Sequence, residues 1–193
     1  MRTSDADILI VPGWSDSGPD HWQSRWTRAL KTAQRIEQDN WLEPERDAWV
    51  GRIIESIVAS TRPVVLVAHS LGVAAVAHAG QRMPKGFLTG AFLVAPADVD
   101  NAASWPETRG KTFDVKESGF APLPLDPLPF PSILVASAND PYCEIARARQ
   151  FASAWGATIV EGGDMGHINS ESGHGPWPEG VLRFGGFLSG LAP

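Results

Sequence analysis

The sequence predicts an α/β protein: a compact, mostly parallel sheet with helices on both faces. Three observations carry that expectation. Short apolar, β-branched runs alternate with segments of helical period along the chain. The strongest runs are continuously apolar, as strands buried on both sides of a parallel sheet are. Several end at turn-forming residues, such as Pro12-Gly13, Ala95-Pro96 and Asn139-Asp140-Pro141, where a loop must leave the sheet. A chain of 193 residues with 43% hydrophobic content can bury one sizeable core. The expected organisation is a single domain over 1–193.

The elements follow in order. Asp7–Val11 (DILIV) is the first strand, stopped by Pro12-Gly13. Pro19-Asp20 opens a helix through about Leu30, with Trp22, Trp26, Ala29 and Leu30 at helical spacing. Ala33–Gln38 reads as a second strand. Glu43-Pro44 starts a helix whose one face carries Trp49, Ile53, Ile54, Ile57 and Val58. Pro63–Ala68 (PVVLVA) is the strongest strand in the chain, and Leu71–Gln81 is an alanine-rich helix just after it. Phe87–Ala95, Pro131–Ser137 and Ala157–Glu161 are the remaining strands. Helices from about Cys143 to Trp155 and from Glu179 to Leu188 complete the alternation. The segment Asp98–Pro129 breaks it, being rich in proline and charge, aperiodic, and long for a plain connection. It is expected to run over the carboxyl edge of the sheet, where lids and pocket walls belong.

Charge and cysteine content narrow the function classes. The net charge is −6 and the Lys and Arg residues are scattered, so no basic stripe exists to displace counterions from a nucleic acid. With Cys143 as the one cysteine, neither an intramolecular disulfide nor a multi-thiolate zinc site can form. Cys143 is expected as a small buried residue. The start of the chain, MRTSDADILIVPGW, has one basic residue and a short apolar run. It reads as neither a signal peptide nor a membrane span, which takes roughly 20 apolar residues, and the expected location is cytoplasmic. Eight tryptophans supply core or pocket surface and name no ligand by themselves.

The chemistry is concentrated at Ala68-His69-Ser70-Leu71-Gly72, between the best strand and a helix. This is the setting of a nucleophile elbow, G-x-S-x-G, with alanine in the first glycine position. The serine must occupy a cramped turn to project above the sheet, and small flanking residues let strand and helix approach. Asp140 lies just past a later strand and His167 just past the last one, giving the order Ser, Asp, His that the α/β-hydrolase fold requires. All three fall at carboxyl ends of strands, where open α/β sheets build their sites. Ser70 is the expected nucleophile, His167 the general base and Asp140 the residue that fixes the imidazole tautomer. Two backbone N–H groups are expected to form an oxyanion hole, those of Leu71 and Trp14. The implied reaction is hydrolysis of a small carboxylic ester or related acyl compound through an acyl-serine intermediate, with no cofactor and no metal.

The same residues resemble a known family. Val11-Pro12-Gly13-Trp14, Asp20-His21-Trp22-Gln23, Ala68-His69-Ser70-Leu71-Gly72, Ser137-Ala138-Asn139-Asp140-Pro141, Gly166-His167-Ile168-Asn169 and the stretch Ser170–Gly180 look like the small serine hydrolases that include retinoblastoma-binding protein nine and its bacterial relatives. The resemblance spans nearly the whole chain and is weakest over Asp98–Pro129. It implies a compact α/β-hydrolase without a large cap and a triad at Ser70, Asp140 and His167.

Blander readings compete at each position. Ser70 could be a helix N-cap, Asp140 a turn residue before Pro141, and His167 a loop histidine. Asp98 is a rival acid after another strand end, and Asp164 reads as a loop residue. His69 lines the pocket or packs on the elbow; His21 caps, packs or faces the site. His78 reads as structural and His174 as solvated. Asp164, His167 and His174 match no helical zinc spacing, and Gly162-Gly163 lacks the Gly-Lys-Ser/Thr of a phosphate loop. A binding or scaffold protein on the same fold, and a thioesterase, amidase or acyltransferase with the same triad, stand as alternatives.

Overall fold

The computed structural model describes residues 1–191; the last two positions of the 1–193 span lie outside it. Six strands form one sheet: β1 (Asp7–Val11), β2 (Ala33–Arg35), β3 (Val64–Ser70), β4 (Gly90–Pro96), β5 (Ser132–Ala136) and β6 (Thr158–Glu161). Their order is β2-β1-β3-β4-β5-β6 and every pairing is parallel. The helices are α1 (Trp22–Ala29), α2 (Arg46–Ala59), α3 (Leu71–Arg82), α4 (Val115–Ser118), α5 (Ile145–Trp155) and α6 (Pro178–Gly190). None is long and apolar enough to cross a membrane among the described residues.

Successive strand residues feed two separate cores. Leu9, Val11, Leu66 and Ala68 point to a layer built with Trp49, Ile53 and Ile57 of α2, Val73 and Val76 of α3, and Phe151 and Trp155 of α5. Ile8, Ile10, Val65 and Val67 point to the opposite layer with Trp22 and Trp26 of α1 and Phe184 and Leu188 of α6. Both sheet faces are thus covered, which is why the central strands carry no polar alternation. Trp26 stacks on Phe184 at 5.4 Å, and Trp22 meets Trp177 edge-on at 5.2 Å, so several tryptophans are core residues.

The strand order reverses at β1. The chain steps to β2 on one side, then returns to place β3 on the other. The helices that follow β1 and β3, α1 and α3, therefore pack on opposite faces of the sheet, the arrangement at which open α/β sheets place their sites. Gln23 ties these two ends together: its fully buried side-chain amide donates to the carbonyls of Val11 and Val67 at 3.0 and 3.1 Å.

Some boundaries differ from expectation. β2 is three residues long instead of six, because its outer edge has no further strand to pair with. β4 begins at Gly90, since Phe87 lies out in solvent. Val58 does not share the buried face of α2; Trp49, Val50, Ile53 and Ile57 fill it, and Val58 is 63% exposed. The 98–129 segment carries a 3-10 turn at Val99–Ser104 and the four-residue α4, and no cap domain.

Candidate active site

Ser70 is the last residue of β3, and α3 begins at the next position. Its backbone sits at φ 56° and ψ −125°, a region used essentially by glycine, at a cost on the order of 1–3 kcal/mol. Tight packing holds it there. A Cβ on Gly72 would lie 2.5 Å from the Val11 carbonyl oxygen and 2.6 Å from that of Pro12. A Cβ on Gly13 would lie 2.7 Å from Ser70 Cβ. The elbow is wedged against the loop after β1, and a side chain at either glycine would push them apart. Ala68 is fully buried beneath the elbow.

The structure brings the three expected side chains into one hydrogen-bonded line. His167 Nε2 lies 2.8 Å from Ser70 Oγ. His167 Nδ1 lies 2.8 and 3.0 Å from the two Asp140 carboxylate oxygens. An ionised carboxylate only accepts, so Nδ1 carries the proton and Nε2 offers its lone pair to the serine hydroxyl. Ser70 occupies the N-cap position of α3, yet its side chain makes no capping bond there; the hydroxyl is turned to the histidine instead. All three side chains are nearly buried, where hydrogen bonds are electrostatically stronger. Asp140 is further fixed by the Tyr142 N–H, which donates to Oδ1 at 2.9 Å.

The rival acids are elsewhere. Asp98 is buried with both oxygens 3.2 Å from Arg147 Nε, and it accepts from Asn101 Nδ2 at 2.7 Å. Asp164 is an exposed loop residue. Cys143 is buried, and burial pushes its thiol up, away from the thiolate a nucleophile needs.

The two amides expected for an oxyanion hole come from backbones in close approach. Leu71 is the first residue of α3, so its N–H has no partner within the helix. The Trp14 N–H makes no hydrogen bond among the described residues. Gly13, just before Trp14, is close enough that its Cβ would lie 3.2 Å from Leu71 N.

Above this floor is a cleft of about 560 Å³. Trp14, Trp105 and Tyr142 give it an aromatic wall, and His21 and His69 line its base beside Ser70. The Tyr142 ring lies 4.2 Å from that of His167. Trp105 Nε1 donates to the Tyr142 carbonyl at 3.0 Å, so the 98–129 segment is pinned against the loop that carries Asp140. Among the described residues, no group of three or more His, Cys, Asp and Glu side chains could hold a metal ion.

A family model described as serine hydrolase matches residues 8–185. The chain belongs to the serine hydrolase family. The hydrolase is 35% identical to a YdeN-like hydrolase of Pectobacterium atrosepticum, with a TM-score of 0.84 over 99% of this chain and 95% of the other. It also superposes on the ydeN gene product of B. subtilis (TM-score 0.75, 18% identity, 94% and 98% covered). An esterase domain from a Rhodothermus marinus protein gives 0.69 at 17% identity over 95% and 86%. The latter two likenesses show the fold alone. No curated protein sequence matches significantly.

Both accessory histidines of the hydrolase have defined places. His21 is the N-cap of α1: its Nδ1 accepts from the Gln23 N–H at 3.1 Å while its ring lines the cleft. Burial, and then the nearby His167, lower its pKa to about 3. His69 lines the cleft and bonds through Nε2 to the His167 carbonyl oxygen at 2.8 Å. Burial first, then His167 and His21, push its pKa well below the ordinary histidine value. Both rings are neutral near pH 7. His78 donates to the Phe120 carbonyl at 2.8 Å, a structural role. His174 is half-buried rather than solvated, because Ser172 Oγ bonds its Nδ1 and Trp177 lies edge-on to its ring.

Sequence reasoning missed Tyr142 and Trp105. Tyr142 stands two residues past Asp140, close enough to have been flagged by position. Trp105 gave no signal, since it lies in the aperiodic segment.

Proposed function

We propose that the hydrolase cleaves small carboxylic esters or related acyl compounds through an acyl-serine intermediate. The observation that carries this reading is the Ser70–His167–Asp140 hydrogen-bonded line at the floor of the cleft. Ser70 Oγ attacks the acyl carbonyl carbon as its proton passes to His167 Nε2. The carbonyl oxygen takes the electron pair and meets the N–H groups of Leu71 and Trp14. When the tetrahedral centre collapses, the bond to the alcohol oxygen breaks and His167 gives that oxygen the proton. Water then repeats the sequence on the acyl-serine, releasing the acid and restoring the serine hydroxyl. Asp140 holds the ring in the tautomer that accepts at Nε2 and stabilises the imidazolium.

The cleft volume suits a small acyl group, and the sharp backbone at Ser70 supports a nucleophile elbow. The test is a p-nitrophenyl ester series from acetyl to octanoyl, run with parallel thioester and anilide substrates. Ester turnover that falls with chain length and vanishes in Ser70→Ala is the expected result. Thioester or amide turnover without ester turnover would replace the ester assignment, and ester turnover retained by Ser70→Ala would remove Ser70 from the chemistry.

A further inference from the structure

The loop that carries His167 is irregular. Gly166 and Ile168 sit at φ 56° and 47°, and residues 162–169 belong to no strand or helix. Side chains hook its backbone at four consecutive residues. Ser137 Oγ accepts from the Met165 N–H at 2.9 Å. Asn139 Oδ1 accepts from the Gly166 N–H at 2.7 Å. His69 Nε2 meets the His167 carbonyl oxygen at 2.8 Å. Trp22 Nε1 donates to the Ile168 carbonyl at 2.9 Å.

The hook at His167 differs in its anchor. Ser137 and Asn139 stand on the loop after β5 and Trp22 on α1, whereas His69 stands on β3 directly before Ser70. One rigid, fully buried strand thus fixes Ser70 through its own backbone and His167 through the His69 side chain. We infer that His69 is a positioning residue, whose Nε2–H donation to the His167 carbonyl sets the separation of base and nucleophile. The inference rests on the reading of Ser70 as nucleophile and His167 as base.

Protonation and packing agree with this role. A carbonyl oxygen only accepts, so His69 carries its proton on Nε2. Its ring is 4.8 Å from that of His167, where a second positive charge would oppose the imidazolium formed during reaction. Burial keeps His69 neutral. Trp22 at 5.9 Å and His21 at 4.9 Å stand edge-on to the ring and restrain its rotation. Without the donor, the His167 carbonyl loses this partner, and a displacement of the base by about 1 Å costs roughly 100-fold in rate.

Two substitutions separate the hydrogen bond from the ring. His69→Gln places an amide N–H near the position of Nε2; His69→Leu fills space without a donor. The readouts are p-nitrophenyl acetate kinetics and the rate of fluorophosphonate labelling, normalised to folded protein. The expected result is a fall of about 10–100-fold in kcat and labelling rate for His69→Leu, with KM within about threefold and most of the rate restored in His69→Gln. Wild-type kcat in His69→Leu, or equal losses in both variants, overturns the inference. Imidazole ¹⁵N NMR of the wild-type chain decides it without any variant. A neutral Nε2–H tautomer at His69 is expected, and an Nδ1–H tautomer or an imidazolium near pH 7 overturns the role. Failure of the nucleophile reading looks different: unlabelled wild type, or labelled Ser70→Ala, whatever the residue at 69.

Discussion

At the residue scale, the chemistry depends on which acid faces His167. Asp98 and Asp140 both follow strand ends, so sequence position alone did not separate them. The structure does, because Arg147 on α5 bonds both oxygens of Asp98, while among the described residues Asp140 has His167 and a backbone N–H against it. Asp140→Asn should present an amide N–H to the ring, favour the wrong tautomer and lower kcat by about 10³–10⁴-fold. Asp98→Asn should leave kcat near wild type. Steady-state ester kinetics on both variants check the pair, and equal losses would contradict the assignment. Ser70 and His167 were legible from motif and order; their approach to 2.8 Å was not, since 97 residues separate them. The hook from His69 was invisible for the same reason: its partner is a backbone atom far along the chain.

At the element scale, the elbow is a contact between the end of β3, the start of α3 and the loop after β1. Its glycine at 72 was legible as part of a motif. The second requirement, at Gly13 in the loop after β1, was legible only as a turn signal, because its contact with Ser70 joins distant parts of the chain. Gly72→Ala should drive its methyl into two carbonyl oxygens and destabilise the fold by about 2 kcal/mol or more, read as a lower urea midpoint together with lost ester turnover. Val58→Ser on the exposed face of α2 should change stability by no more than about 0.5 kcal/mol. Val58 looked buried in the sequence because apolar residues at helical spacing extended past the true face. Only the packing of α2 on the sheet shows that Trp49, Ile53 and Ile57 fill the interface. Strand existence was read well because buried parallel strands are continuous apolar runs. Strand ends were read less well, since pairing with a neighbour, absent beyond β2, decides where a ladder stops.

At the scale of the whole molecule, the parallel order β2-β1-β3-β4-β5-β6 puts the reversal point between β1 and β3, directly under the cleft. The alternation of elements predicted the sheet. It did not predict the cleft wall, because the 98–129 segment has no period and is held by single bonds such as Trp105 to Tyr142. Burial of neutral histidines also couples the fold to pH. His21 is held at about 3 in the folded chain, against about 6.5 when unfolded. Between those values the unfolded chain binds more protons, so stability is full above about 6.5 and falls as pH drops toward about 3. His69 and His78 are lowered too and add in the same direction. Thermal melts across this range should show Tm falling with acidity, with a shallower slope in His78→Gln; a flat profile would contradict the neutral burial of these rings. The hydrolase reading itself stands on one atom, Ser70 Oγ. The most direct measurement is reaction of the folded chain with a fluorophosphonate, followed by peptide mass mapping of wild type and Ser70→Ala. A single adduct on Ser70, absent from the variant, is expected; an unlabelled wild-type chain or an adduct on another residue would contradict it.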